Sequence, residues 1–297
     1  MLRNHKTTKS DEEEVNALKT IGFIDYFLDE WHAEKYPAWI EAASGGELRV
    51  AYAYGMTDKP GGLTNAQWCE RKGIELLPTI EAVVDKSDFL IVLSPDFPEY
   101  HEELSRLPLQ SGKPVYIDKT FAPDRETALL LFERARQSGT PMYSSSALRF
   151  AAEYETMDRD GIETILSVGP GKFANYSIHQ IEPIVALMGT DVRQVMFTGT
   201  AESPALLIGF AHGRQATVNH FGDGASFGMI ANYRSGNART VKIESEFFQA
   251  FIRNLIRFFQ TGEGAVDPAE TVAIITIIEY GLKAAETPYQ WLKLPTA

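Results

Sequence analysis

The segment Ser111-Gly112-Lys113-Pro114-Val115-Tyr116-Ile117-Asp118-Lys119-Thr120 decides how the chain is read. A Ser-Gly turn precedes a short apolar run, and an acid and a lysine stand at the carboxyl end of that run. Upstream, Phe89-Leu90-Ile91-Val92-Leu93 is continuously apolar, the pattern of a strand buried on both faces. Between the two, residues 101–109 read as a helix up to Pro108. Residues 124–138 read as the next helix and 141–145 as the next strand. Strands alternating with helices predict parallel βαβ units with right-handed crossovers. Open sheets of this kind place ligands beyond the carboxyl ends of their strands, which is where Lys119 falls.

The same alternation extends toward the N-terminus. Strands are expected at 21–24 and 48–54, and helices at 31–43, 68–72 and 80–86. Toward the C-terminus the rhythm changes. After a polar helix at 151–159, strand signals cluster at 164–168, 192–198, 205–211, 215–221 and 227–233. Turn residues such as Gly213, Gly222-Asp223-Gly224 and Ser235-Gly236-Asn237 separate the later ones, as in an antiparallel meander. Helices follow at 245–260 and 268–285, the second with Pro268 behind an Asp267 cap. Phe247, Phe248, Phe251, Phe258 and Phe259, at helical spacing, read as core. The expected class is α/β: an N-terminal Rossmann-like, doubly wound parallel sheet and a C-terminal α+β domain with a largely antiparallel open sheet. The expected division is a flexible tail at 1–16, a nucleotide-binding-like domain at 17–148, and a substrate and oligomerisation domain at 149–297.

The 297 residues are 44% hydrophobic and 23% charged, an ordinary globular balance. A net charge of −12 repels nucleic acid and anionic membranes, so neither is expected as a partner. Residues 1–16 are polar and carry no signal-peptide core, and no apolar stretch approaches the about 20 residues that span a bilayer. One cysteine, Cys69, excludes an internal disulfide and suits a reducing cytoplasm. The histidines are scattered and H-E-x-x-H and G-x-S-x-G are missing, which argues against a zinc or serine hydrolase, and no metal site is expected. Ser144-Ser145-Ser146 reads as an exposed strand end that bonds ligand or backbone. An open antiparallel sheet with an uncovered apolar face would pair with a second copy, so a homodimer or homotetramer is expected.

Taken in order, these segments resemble the glucose–fructose oxidoreductase/inositol dehydrogenase (Gfo/Idh/MocA) family. Leu93-Ser94-Pro95 followed by His101 is similar to its strand ending in T-P-N and histidine-opened helix. Residues 112–120 are similar to G-K-H-V-x-x-E-K-P, and Arg149-Phe150 to the R-F at its domain junction. Asn175-Tyr176-Ser177-Ile178-His179-Gln180-Ile181-Glu182 resembles D-x-x-x-H-D-x-D. The resemblance implies an NAD- or NADP-dependent oxidoreductase acting on a sugar, cyclitol or other polyol. It implies Lys119, His179 and Asn175 as catalytic residues, with Asn175 in place of an aspartate so that His179 takes the proton. It implies Arg149, Tyr176 and Glu182 at the substrate. It places the cofactor along Asp25, Tyr26, Phe27, Leu28, Tyr54, Ser94, Pro95, His101, Asp118 and Lys119.

One loop departs from that pattern. The family opens with G-x-G-x-x-G/A, whose glycines let the backbone approach a pyrophosphate. Here the segment is Ile24-Asp25-Tyr26-Phe27-Leu28-Asp29-Glu30-Trp31, with Gly22 too early, bulky side chains at the turn and three acids. Asp29 and Glu30 are candidates to cap the following helix. The second strand ends Ala53-Tyr54-Gly55, without the acid that takes the ribose hydroxyls of NAD or an arginine for NADP. A redox-inactive relative that senses a ligand or binds a partner is therefore the alternative, and a lyase- or epimerase-like reaction is a third reading.

Overall fold

The computed structural model describes residues 18–295; the tail expected at 1–16 lies outside them. The chain runs β1 (Lys19–Asp25), α1 (Trp31–Ala43), β2 (Leu48–Gly55), α2 (Asn65–Lys72), β3 (Glu75–Leu76), α3 (Ile80–Lys86), β4 (Phe89–Val92), α4 (His101–Ser105), β5 (Val115–Ile117), α5 (Arg125–Ser138) and β6 (Met142–Tyr143). These strands form one parallel sheet of order β3-β2-β1-β4-β5-β6. The order reverses between β1 and β4, and the crevice above that point is where sheets of this topology take ligands. Ile21, Phe23 and Ile24 of β1 and Leu90, Ile91 and Val92 of β4 are fully buried, as continuous apolar runs require. Gly22 has a packing duty: a Cβ there would lie 2.4 Å from Ser87 Oγ and Val83 Cγ1, so α3 sits on β1 only because the side chain is missing.

The second half comprises α6 (Ala152–Glu155), β7 (Ile162–Gly169), α7 (Phe173–Met188), β8 (Val192–Gly199), β9 (Pro204–Phe210), β10 (Gln215–His220), β11 (Gly228–Tyr233), β12 (Ala238–Lys242), α8 (Phe247–Thr261), α9 (Pro268–Ala284) and β13 (Leu292–Lys293). Its sheet has the order β12-β11-β7-β10-β9-β8-β13, with β7 and β10 parallel and the other pairs antiparallel. Inward residues such as Val195, Leu206, Ile208, Ala216 and Val218 pack beneath Ile181 and Ile184 of α7 and Ile274 and Ile277 of α9. The outer face keeps Leu166 and Ile230 exposed and opposite one another. The fold is thus α/β, with a Rossmann-like sheet and a mostly antiparallel one.

Helix α8 returns to the first sheet. Phe251 lies 5.6 Å from Tyr36 and 5.4 Å from Tyr116, and Phe258 lies 4.8 Å from Tyr143, ring centre to ring centre. Each buried phenylalanine contributes about 1.5–3 kcal/mol of apolar burial. Phe251, Phe258 and Phe259 are core, as their spacing predicts. Phe247 and Phe248 are not: both line the main cavity. Among the described residues, no helix is long and apolar enough to cross a membrane.

Candidate functional site

A cavity of about 490 Å³ lies at the carboxyl ends of the parallel strands, between the two sheets. Trp31, His32 and Tyr36 of α1, Asp118 and Lys119 after β5, Asn175, Tyr176 and His179 of α7, and Phe247 and Phe248 of α8 face it.

Lys119 is 8% exposed, and its Nζ donates to Pro95 O at 3.2 Å and lies 3.7 Å from Asp96 Oδ1. A buried ammonium held by one carbonyl and one solvent-exposed carboxylate keeps donor capacity for a ligand oxygen. Asn175 and His179 are one helical turn apart, so both look into the cavity from one face of α7. His179 Nδ1 is hydrogen-bonded to Ser146 Oγ at 2.7 Å, and Ser146 Oγ also accepts from Leu148 N at 3.2 Å. Ser144, Ser145 and Ser146 are buried, contrary to their reading as an exposed strand end, because the segment plugs the junction between the sheets. Burial, and then the charge of Lys119 with those of His32 and His220, push the His179 imidazole down to about 3. His179 therefore stays neutral near pH 7 and is a weak base.

The remaining residues expected at the substrate divide. Tyr176 is 42% exposed at the cavity mouth, its ring 5.4 Å from that of His179. Arg149 and Glu182 do not line the cavity. Arg149 pairs with Glu270 at 2.6 Å and with Glu182 at 3.7 Å, and Glu182 Oε2 accepts from Ser146 N at 2.6 Å. Burial raises Glu182 to about 7, against the pull of Arg149. This cluster ties α7 and α9 to the junction instead of meeting a ligand.

The first loop is closed by the chain's own groups. Glu30 caps α1: its Oε2 accepts from His32 N at 2.7 Å and its Oε1 from Ala33 N. Those first-turn amides are the ones that seat a pyrophosphate in this topology. Asp29, the other candidate cap, instead accepts from Leu63 N at 3.0 Å and lies 3.8 Å from Lys59 Nζ. Leu28 is fully buried and donates its N–H to Asn65 Oδ1 at 2.9 Å. Gly55 makes room for Asn65, whose side chain would lie 2.4 Å from a Cβ there. Tyr26 stacks on Tyr100 with centroids 4.2 Å apart and meets Phe97 at 5.0 Å, while Phe27 packs edge-on against Phe97 at 5.6 Å. Asp25 is 1% exposed; burial, then Glu30 and Asp118, raise its carboxyl well above the usual range. A dinucleotide's pyrophosphate does not fit this loop as it stands, since the amides are taken and the approach is aromatic and acidic.

Of the other residues expected at a cofactor, Asp118 and Lys119 reach the cavity. Ser94 is buried at φ +80° with its Oγ donating to Phe97 O at 3.0 Å, and Pro95 offers its carbonyl to Lys119. His101 is fully buried between Phe121 O at 3.0 Å and Leu93 O at 2.5 Å, which makes it a strut. Tyr54 lines a separate open depression with Gly55, Asp58 and Asn65.

Sequence reasoning missed the aromatic wall of Trp31, Phe247 and Phe248, and it missed His32. His32 Nδ1 is 3.2 Å from Glu30 Oε2 and 3.4 Å from Asp118 Oδ2. Asp118 Oδ1 accepts from Tyr116 OH at 3.1 Å. Burial pushes the His32 imidazole down, but Asp118 and Glu30 outweigh it and the net shift is upward. A Trp-His pair opening an amphipathic helix directly after a ligand-facing strand was the available signal. Among the described residues, no group of three or more His, Cys, Asp or Glu is placed to hold a metal ion.

No family model and no curated protein sequence matches the chain. Solved structures do. Myo-inositol dehydrogenase from Lactobacillus casei, in complex with NAD(H) and myo-inositol, superposes with a TM-score of 0.76 at 12% identity, over 94% of this chain and 98% of that one. Apo scyllo-inositol dehydrogenase from Lactobacillus casei gives 0.75 at 13%, over 94% and 98%. GenD2 from gentamicin A biosynthesis, in complex with NAD, gives 0.75 at 12%, over 94% and 97%. The likeness to these dehydrogenase structures holds across nearly the whole chain at the level of fold.

Proposed function

We propose that the chain is an oxidoreductase-type protein that takes a sugar, cyclitol or related polyol into the cavity between Lys119 and His179. In this reading residues 17–148 supply the lysine and residues 149–297 the histidine. The observation that carries it is convergence: a buried lysine from the parallel half and a histidine from the other half meet in one cavity at the topological switch point. A polyol hydroxyl beside the Lys119 ammonium gains stabilisation as it loses its proton, the electrostatic help that an alcohol needs before its carbon can be oxidised. Asn175 orients hydroxyls as donor and acceptor. NAD(H) in two of the structural neighbours supports a nicotinamide nucleotide as the redox partner, NAD and NADP both remaining in scope.

A second reading, a redox-inactive ligand-binding relative, is favoured by Glu30. Its carboxylate occupies the helix amides and repels phosphate. Calorimetric titration of NAD, NADH, NADP and NADPH separates the two. Binding of one nucleotide at millimolar concentration or below, with turnover lost in Lys119→Ala, supports the oxidoreductase. Silence with all four leaves the ligand-binding reading. The exposed Leu166–Ile230 pair supports association through the outer sheet face, and light scattering of wild type against Ile230→Glu checks it.

A further inference from the structure

We propose that His32, oriented by Asp118 and Glu30, is the residue of this cavity that accepts a proton from the ligand. This rests on the reading of the cavity as a polyol site and adds its base, a residue supplied by the loop that departs from the family pattern.

The two ring nitrogens of His32 meet different surroundings. Nδ1 faces Glu30 Oε2 at 3.2 Å and Asp118 Oδ2 at 3.4 Å, so the proton resides there and the tautomer is set. Asp118 is 1% exposed, and its Oδ2 has no hydrogen-bond donor among the described residues closer than this imidazole. Nε2 has no protein partner among the described residues, and His32 lines the cavity. A histidine backed by a buried carboxylate with its far nitrogen open to a ligand space is the arrangement of a general base. The ring is held edge-on by Trp31 at 5.1 Å and Tyr36 at 5.3 Å, which limits its rotation.

The charged and titratable groups around it are known from every side. Glu30 comes from the first loop and Tyr36 from its own helix. Asp118 and Lys119 come from the end of β5, Asp96 from the loop after β4 and Tyr176 and His179 from α7, while α8 offers only Phe247 and Phe248. The carboxylates dominate, whereas His179 has none beside it and faces Lys119. The two histidines therefore divide the work: His179 stays a neutral hydrogen-bonding group and His32 takes the proton. In the step itself a ligand O–H bond breaks and an Nε2–H bond forms. The electron pair stays on oxygen as an alkoxide facing the Lys119 ammonium, and Asp118 stabilises the imidazolium.

Carbethoxylation by diethyl pyrocarbonate, followed residue by residue by mass spectrometry over about pH 5–8, tests this because only neutral, accessible imidazole nitrogens react. His32 should react with a midpoint above the ordinary imidazole value of about 6.5, and His179 should show no midpoint in this range. Asp118→Asn should lower the His32 midpoint to the ordinary imidazole value or below. Should Asp118→Asn fail to fold, Glu30→Gln must lower it in the same direction. An unreactive His32, or a midpoint unmoved by both variants, would overturn the proposal. Saturating myo-inositol or a sugar from a polyol panel should slow the reaction at His32 several-fold. No protection by any polyol, with the Asp118 dependence intact, would overturn the polyol reading of the cavity while upholding the dyad.

Discussion

Two walls of one cavity carry a histidine each, and their surroundings tune them in opposite directions. On the α7 wall, His179 has a serine hydroxyl for a partner and a lysine across the cavity, so its charged form is disfavoured. On the α1 wall, His32 has two carboxylates within 3.4 Å, so its charged form is favoured despite burial. The α7 wall thus holds the weaker base and the α1 wall the stronger. Motif position says which residues face a ligand; immediate neighbours say which of them can take a proton.

The comparison can be broken first by removing what supports the α1 wall. Phe251→Ala deletes the ring of α8 that packs on Tyr36, Tyr116 and Phe150, and should cost about 3–5 kcal/mol in denaturant unfolding. The His179–Ser146 pair, held by α7 and the junction, should keep its geometry.

A second experiment sharpens the contrast through pH. The unfolded His179 takes a proton near 6.5 but the folded one resists until about 3, so stability is lost as pH falls through that window. His179→Gln should flatten this loss, by at most about 2 kcal/mol near pH 5. His32 has the opposite sign: its raised folded value adds stability below the unfolded value of 6.5 that is lost as pH rises through the folded one. His32→Gln should therefore steepen the acid loss, and thermal melts across pH read both slopes.

The smallest effect on stability comes from Glu30→Ala, which removes the cap of α1 and should cost about 1 kcal/mol. Its larger readout is nucleotide affinity. With the first-turn amides free and one acid gone, NADH or NADPH should bind the variant at least about tenfold more tightly than wild type. Equal affinity would show that Glu30 does not occupy the phosphate seat.

Much of this was legible in the sequence, and for stated reasons. Parallel strands buried on both faces must be continuously apolar, so Phe89–Val92 declared itself, and Lys119 could be located from the strand that precedes it. β3 and β13 were not legible because they are two-residue edge strands with exposed or half-exposed side chains, and β12 was missed because Ala238-Arg239-Thr240-Val241-Lys242 is a mostly exposed edge. His101 was read as a ligand residue because its motif position was visible and its two carbonyl partners were not. Arg149 and Glu182 were drawn to the substrate for the same reason, whereas Glu270, supplied by α9, claims the arginine. His32 escaped notice because its character depends on Asp118, a residue of another strand that one sequence cannot bring beside it.

The most direct test of the central claim, that Lys119 and His179 define the ligand cavity, is saturation-transfer NMR of a sugar and cyclitol panel against wild type and Lys119→Ala. The account predicts that wild type binds at least one polyol and that Lys119→Ala loses it while melting at an unchanged temperature. A polyol that binds both proteins equally, or a panel with no binder to wild type at millimolar concentration, would contradict it.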